Sequence, residues 1–78
     1  IYVYILQSLI DNGYYVGICK DLKKRLEKHN KGGVESTKRR KPLRIVYTER
    51  FGSYSEARQR EKEIKSYKGG ESFRVLVN

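Results

Sequence analysis

The chain has 78 residues, of which 18 are Lys or Arg and 9 Asp or Glu, for a formal net charge of +9. A single domain of that length buries only about 60% of its unfolded surface, and with 37% hydrophobic residues, no Met and no Trp, the packing must fall to Leu, Ile, Val and seven tyrosines. One cysteine and one histidine exclude an internal disulfide and a zinc ligand set, and no run approaches the roughly 18 apolar residues of a membrane span or a secretory signal, so a cytoplasmic protein that does not engage membranes is expected.

The excess of positive charge calls for a polyanionic partner; a lysine-rich domain without such a partner is the plainer alternative. Ile1 to Gln7 is an apolar and aromatic run closed by the turn signal Asp11-Asn12-Gly13, and Tyr14 to Ile18 follows at once, which predicts a β-hairpin. Cys19, at the end of that second strand, reads as a packing residue. Asp21 is of N-cap type for a helix from Leu22 to about Asn30, with Leu22, Leu26 and His29 on one face and Gly32-Gly33 as its stop. Residues 31–41 carry no apolar period and end in Lys38-Arg39-Arg40-Lys41 before Pro42, which predicts a basic loop. Leu43 to Phe51 is β-branched and aromatic enough for a third strand. Ser53 and Glu56 form an S-x-x-E capping pattern that opens a helix to about Lys68, where Gly69 and Gly70 end it; Glu71 to Val77 leans to helix. The order β-β-α-β-α(-α) gives an α+β fold, a three-stranded, mostly antiparallel sheet flanked by helices.

Three residues break the local pattern. Glu61 shares the helical stripe 57, 61, 64, 68 with Ala57 and Ile64, which aims a carboxylate at the apolar side. Such a group needs a cation, a metal or water, and an internal salt bridge serves as well as a functional site. Arg25 lies among Leu22, Leu26 and His29 and directs a guanidinium to the sheet side, suited to bidentate phosphate binding or to capping the core with its stem. In the hairpin, Tyr2, Tyr4 and Leu6 share one face, as do Tyr15 and Gly17. A glycine there leaves open surface beside the Tyr15 phenol for a phosphate, or serves a bulge or packing. A phenol, a guanidinium and a carboxylate on the inner sides of three elements are the inventory of a metal-assisted phosphodiesterase.

Tyr2-Val3-Tyr4, Tyr15-Val16-Gly17, the helix Asp21-Leu22-Lys23-Lys24-Arg25-Leu26 and the stretch from Glu56 to Lys65 together resemble the GIY-YIG endonucleases over nearly the whole chain. The resemblance is to small stand-alone bacterial members related to the nuclease domain of the excision-repair incision protein, with Leu26-Glu27-Lys28-His29-Asn30 as an added marker. It implies that Tyr15 orients or deprotonates the attacking water, Tyr4 helps place that water or the phosphate, Arg25 holds the scissile phosphate, and Glu61 ligates a single Mg²⁺ or Mn²⁺. His29 becomes a phosphate or base partner, or a histidine capping the core. Tyr2 stands where the motif has its first glycine, Ile18 where excision-type members have a lysine, and no asparagine follows the metal helix at a comparable position. The function implied is metal-dependent cleavage of DNA, such as branched, flap or damaged DNA, with RNA as the other nucleic acid the charge would suit, Lys38, Arg39, Arg40 and Lys41 on its backbone, and a partner protein supplying specificity. The rival reading is a non-catalytic basic module that binds nucleic acid and keeps the fold.

Overall fold

The computed structural model describes residues 1–78. Its elements are β1 (Tyr2–Ser8), β2 (Tyr14–Cys19), α1 (Leu22–Asn30), β3 (Leu43–Arg50), α2 (Tyr54–Ser66) and α3 (Glu71–Val77). The expected order holds, and the C-terminal segment is a helix. Residues 31–41 form turns rather than a helix or strand.

Local chemistry closes each element. In the β1–β2 turn, Asn12 has φ 60, a left-handed value that Asn tolerates, and the Asp11 carboxylate accepts the Gly13 N–H at 2.8 Å. The Ser8 hydroxyl accepts the N–H groups of Ile10 and Asp11 and donates to the Arg40 carbonyl at 2.7 Å, tying the hairpin to the 31–41 loop. Asp21 caps α1 by accepting the Lys24 N–H at 3.1 Å, and Gly32, at φ 78, turns the chain away after it. Ser53 caps α2 through the Glu56 N–H at 3.3 Å, while its hydroxyl donates to the Glu56 carboxylate at 3.1 Å. The helix stops at Ser66 rather than Lys68 because Lys68 is already left-handed at φ 49, followed by Gly69 at φ 76.

The sheet has the order β2-β1-β3 and is antiparallel throughout. Helices cover both of its faces, so Val3, Tyr4, Ile5 and Leu6 of the central strand are all buried, and β1 reads as a continuous apolar run instead of an alternating one. Val3, Ile5 and Val16 pack with Ala57 and Ile64 of α2 and Phe73 of α3. Tyr4, Leu6, Cys19 and Leu43 pack on the other face against Leu22 and Leu26 of α1. A bulge in β3 pairs Ile5 with Tyr47 but Leu6 with Ile45, so Val46 is the extra residue and Ile45 stays on the α1 face.

A charged network pins α2 to β3. Arg60 donates to both oxygens of Glu49, at 2.8 and 3.4 Å, and Tyr47 donates to the same carboxylate at 2.6 Å. Arg60 also pairs with Glu63 and donates to the Tyr67 hydroxyl oxygen at 3.3 Å. No helix is long and apolar enough to cross a membrane.

Candidate active site

The β1–β2 register sets Tyr4 opposite Gly17 and Leu6 opposite Tyr15, so both phenols stand on the face that α1 covers. One turn of α1 then supplies Arg25 and His29. Tyr4 is 2% exposed and His29 fully buried, and the Tyr4 hydroxyl lies 3.0 Å from His29 Nε2. Behind the ring, Nδ1 is 2.6 Å from the Thr37 hydroxyl, which donates to the Val34 carbonyl at 3.5 Å. Tyr15, half-buried on the edge strand, meets His29 edge-on at a centroid distance of 5.0 Å and Tyr4 at 6.2 Å.

The acceptors present decide which way this chain runs. The Tyr4 proton needs an acceptor, His29 Nε2 is the one within hydrogen-bonding distance, and the neighbouring Arg25 can only donate. His29 Nε2 must therefore accept from Tyr4, which leaves the proton on Nδ1 to be donated to Thr37. Burial first, then the Arg25 and Lys28 charges, hold His29 below its ordinary pKa and keep it neutral. Burial and the neighbouring Tyr15 push the Tyr4 phenol well up, while Arg25 pulls it back. Arg25 takes no part in any of the five ion pairs. Its charge stands unneutralised beside the phenols, available to an anion.

At Gly17 the packing alternative holds. A Cβ there would meet the Tyr4 hydroxyl at 2.6 Å, Tyr4 Cζ at 2.7 Å and Tyr15 Cε2 at 3.0 Å. The space beside Tyr15 is filled by the Tyr4 phenol, not left open for a phosphate. Cys19, buried among the same residues, has its thiol pushed up by burial and is a packing residue.

Glu61 sits on the opposite layer, since α2 covers the Val3–Ile5 face while α1 covers the other. Its carboxylate, 19% exposed, pairs with Lys65 at 3.2 Å. The same helical stripe nevertheless reaches round the open edge of β2. Tyr54 lines a basic groove of about 350 Å³ with Cys19, Lys24, Arg25 and Lys28, and Lys65 lines a second groove with Tyr15. Glu61, two turns after Tyr54 and one before Lys65 on the helix, lines neither groove. No cluster of three or more His, Cys, Asp or Glu side chains could cage a metal ion. A lone carboxylate could supply at most one ligand to a hard cation.

The basic loop is less uniform than its sequence. Lys38, Arg39 and Lys41 are exposed, with Lys38 paired to Glu35 at 3.2 Å, whereas Arg40 turns back to Asp11 at 3.3 Å. Two features escaped the sequence reading. Thr37, fully buried against His29, carries no local signal, because nothing in an aperiodic loop marks one threonine. Lys24 and Lys28, which extend the Arg25 groove, were visible as an i, i+4 pair on α1 but look like ordinary solvated charges.

Comparison with known proteins follows this geometry. The family model described as the GIY-YIG catalytic domain matches residues 1–71. A UPF0213 protein of Staphylococcus saprophyticus is 41% identical over 76 residues, covering 96% of this chain and 92% of that protein. Its counterpart in Staphylococcus aureus is 42% identical over the same length and with the same coverage. Among solved structures, the solution NMR structure of a UPF0213 protein from Bacillus halodurans matches with a TM-score of 0.60 and 36% identity, over 96% of this chain and 80% of that one.

Proposed function

The chain belongs to the GIY-YIG catalytic-domain family, and from that premise we propose that it is an endonuclease hydrolysing phosphodiester bonds in DNA with one Mg²⁺ or Mn²⁺ ion. The observation that carries the reading is the buried chain Tyr4–His29–Thr37 beside an unpaired Arg25. Any buried histidine needs a partner on each ring nitrogen; what a purely structural pair does not need is an unpaired guanidinium next to it.

The residues divide the work by position. Tyr15 is the phenol open to solvent, and it orients the attacking water. Tyr4 and His29 form the proton relay behind it: the Tyr4 oxygen takes the water's proton as neutral Nε2 takes the phenol's own, so no charge is left on the phenol, Nδ1–H remains anchored on Thr37, and Arg25 offsets the negative charge that develops on the phosphate. With this pair as the acceptor, a lysine at position 18 is not required. Glu61, if it leaves Lys65, would hold the ion, and a bound divalent ion would supply Lewis-acid stabilisation of the leaving oxygen. Lys24, Lys28 and the exposed part of the 38–41 loop steer the backbone. Flap, branched or damaged DNA is the substrate, a partner protein supplies targeting, and the bacterial cytoplasm is the setting, as the bacterial relatives support.

One observation favours the rival, non-catalytic reading: Glu61 already has a cation in Lys65. Incubation of labelled flap, nicked and duplex DNA with the protein and its Tyr4→Phe variant, in Mg²⁺, Mn²⁺ or EDTA, separates the two. The nuclease reading expects cleavage that needs metal and falls by at least about 10²-fold without the Tyr4 hydroxyl, a typical scale for acid-base groups. Binding without cleavage in any metal supports the rival.

A further inference from the structure

The surface of α2 and α3 beyond the β2 edge holds a groove of about 460 Å³ that shares Tyr15 and Lys65 with the chemistry above. Its floor is Tyr14, Ile64 and Phe73, and its rim carries Lys65 and Lys68. Tyr14 is 38% exposed yet fixed, because Phe73 meets it edge-on at 5.1 Å and 70°. Ile64 and Phe73 beneath it are buried. Lys68 is exposed and forms no ion pair, and with Gly69 it holds the left-handed turn that ends α2 at the rim. Tyr15 lines the same groove, so one wall is shared with the candidate active site.

We propose that this groove binds the base of an unpaired nucleotide adjoining the scissile phosphate. A fixed, half-exposed ring on an apolar floor is a stacking platform for any base. The unpaired Lys68 ammonium group at the rim matches a phosphate flanking that base, with Lys65 beside it held by Glu61. The volume lies within the range of roughly 300–1,000 Å³ found for small-ligand sites. A fully paired base cannot enter, because it would have to leave its stack, whereas an unpaired one enters at little cost. The inference rests on the nuclease reading for its placement beside the cut, and it narrows the substrate to DNA with an unpaired nucleotide next to the cleaved bond.

The test is a binding measurement in EDTA, independent of cleavage. The probe is a short single strand whose only base is one 2-aminopurine, the other positions being abasic, compared with the fully abasic strand and with a duplex that pairs a 2-aminopurine. The wild type is expected to quench the 2-aminopurine and to bind its single strand about 5- to 100-fold more tightly than the fully abasic one, the range of base–aromatic stacking. Tyr14→Ala abolishes both effects and Tyr14→Trp restores them, with folding checked by thermal melting. Lys68→Gln, on the exposed rim, weakens both strands by the same factor. Equal affinity for the two strands, or quenching that survives Tyr14→Ala, overturns the proposal. Quenching without cleavage in any metal leaves the groove standing and removes the nuclease reading; cleavage without quenching does the reverse.

Discussion

Substituting alanine for Gly17 probes the site without touching any polar group in it. The added Cβ would lie 2.6 Å from the Tyr4 hydroxyl and 2.7 Å from Cζ, with Tyr15 Cε2 at 3.0 Å. Ordinary contacts are about 3.5–4.0 Å, so the Tyr4 ring must withdraw by roughly 1 Å. It is 2% exposed, so it has no free volume to move into. The 3.0 Å contact with His29 would be displaced out of hydrogen-bonding geometry. Overpacking costs about 1–3 kcal/mol and a buried hydroxyl without its acceptor about 1–3 more, so Gly17→Ala should destabilise the domain by roughly 2–6 kcal/mol. Urea unfolding of Gly17→Ala, Tyr4→Phe and the double variant gives the coupling. Both singles lose the Tyr4–His29 bond, which the double variant can lose only once, so the double variant should be more stable than the sum of the singles predicts by about 0.5–3 kcal/mol. Additivity within about 0.5 kcal/mol would refute the claim that Gly17 exists to admit the Tyr4 phenol.

Three further predictions concern separate parts of the site. Tyr15→Phe should lower the single-turnover rate by about 10²-fold or more with an unchanged melting temperature, while Tyr14→Phe keeps most activity, since a strand places the two rings on opposite faces; equal losses would contradict the assigned roles. His29 has its pKa held below the ordinary value by burial and by Arg25 and Lys28, so the acceptor stays neutral and activity persists below the usual histidine range, then falls as pH drops through the depressed value. For the same reason stability is fully present above the unfolded histidine value and declines as pH falls from there towards the folded one; His29→Gln should remove that dependence in urea unfolding measured across pH. Replacing Lys38, Arg39, Arg40 and Lys41 with serine should weaken binding to all DNA sequences and flatten its salt dependence. Arg40→Ser alone should leave the salt slope nearly unchanged, because that guanidinium is held at Asp11; a single-variant change as large as that of the fourfold variant would show the pairing is lost on DNA.

What the sequence disclosed followed from periodicity and turn chemistry. Asp11-Asn12-Gly13, the Asp21 and Ser53 caps and the Gly69 stop are local, and each reappears in the structure within a residue or two. Alternation was enough to put Tyr4 and Tyr15 on one face of their strands. What stayed hidden depends on contacts distant in the chain. That Tyr4 fills the space above Gly17 follows from a cross-strand register, which hydrophobic pattern alone does not set. Thr37 acquires its meaning only when the 31–41 loop folds onto α1. The inward aim of Arg25 and of Glu61 was legible on each helix, but not that α1 and α2 lie on opposite faces of the sheet. The proposed meeting of their groups is therefore round the β2 edge.

That meeting point is where the account is most exposed. Single-turnover cleavage of labelled flap DNA by the wild type and by Glu61→Gln, titrated with Mg²⁺ and Mn²⁺ and paired with thermal melts, tests it directly. The amide keeps the shape of the side chain and loses the charge a divalent ion requires. The account predicts metal-dependent cleavage by the wild type and its abolition in Glu61→Gln, with DNA affinity and melting temperature nearly unchanged. Cleavage by Glu61→Gln at the wild-type rate, or a wild type that never cuts and a variant that only loses stability, would contradict it and leave Glu61 as the partner of Lys65 alone.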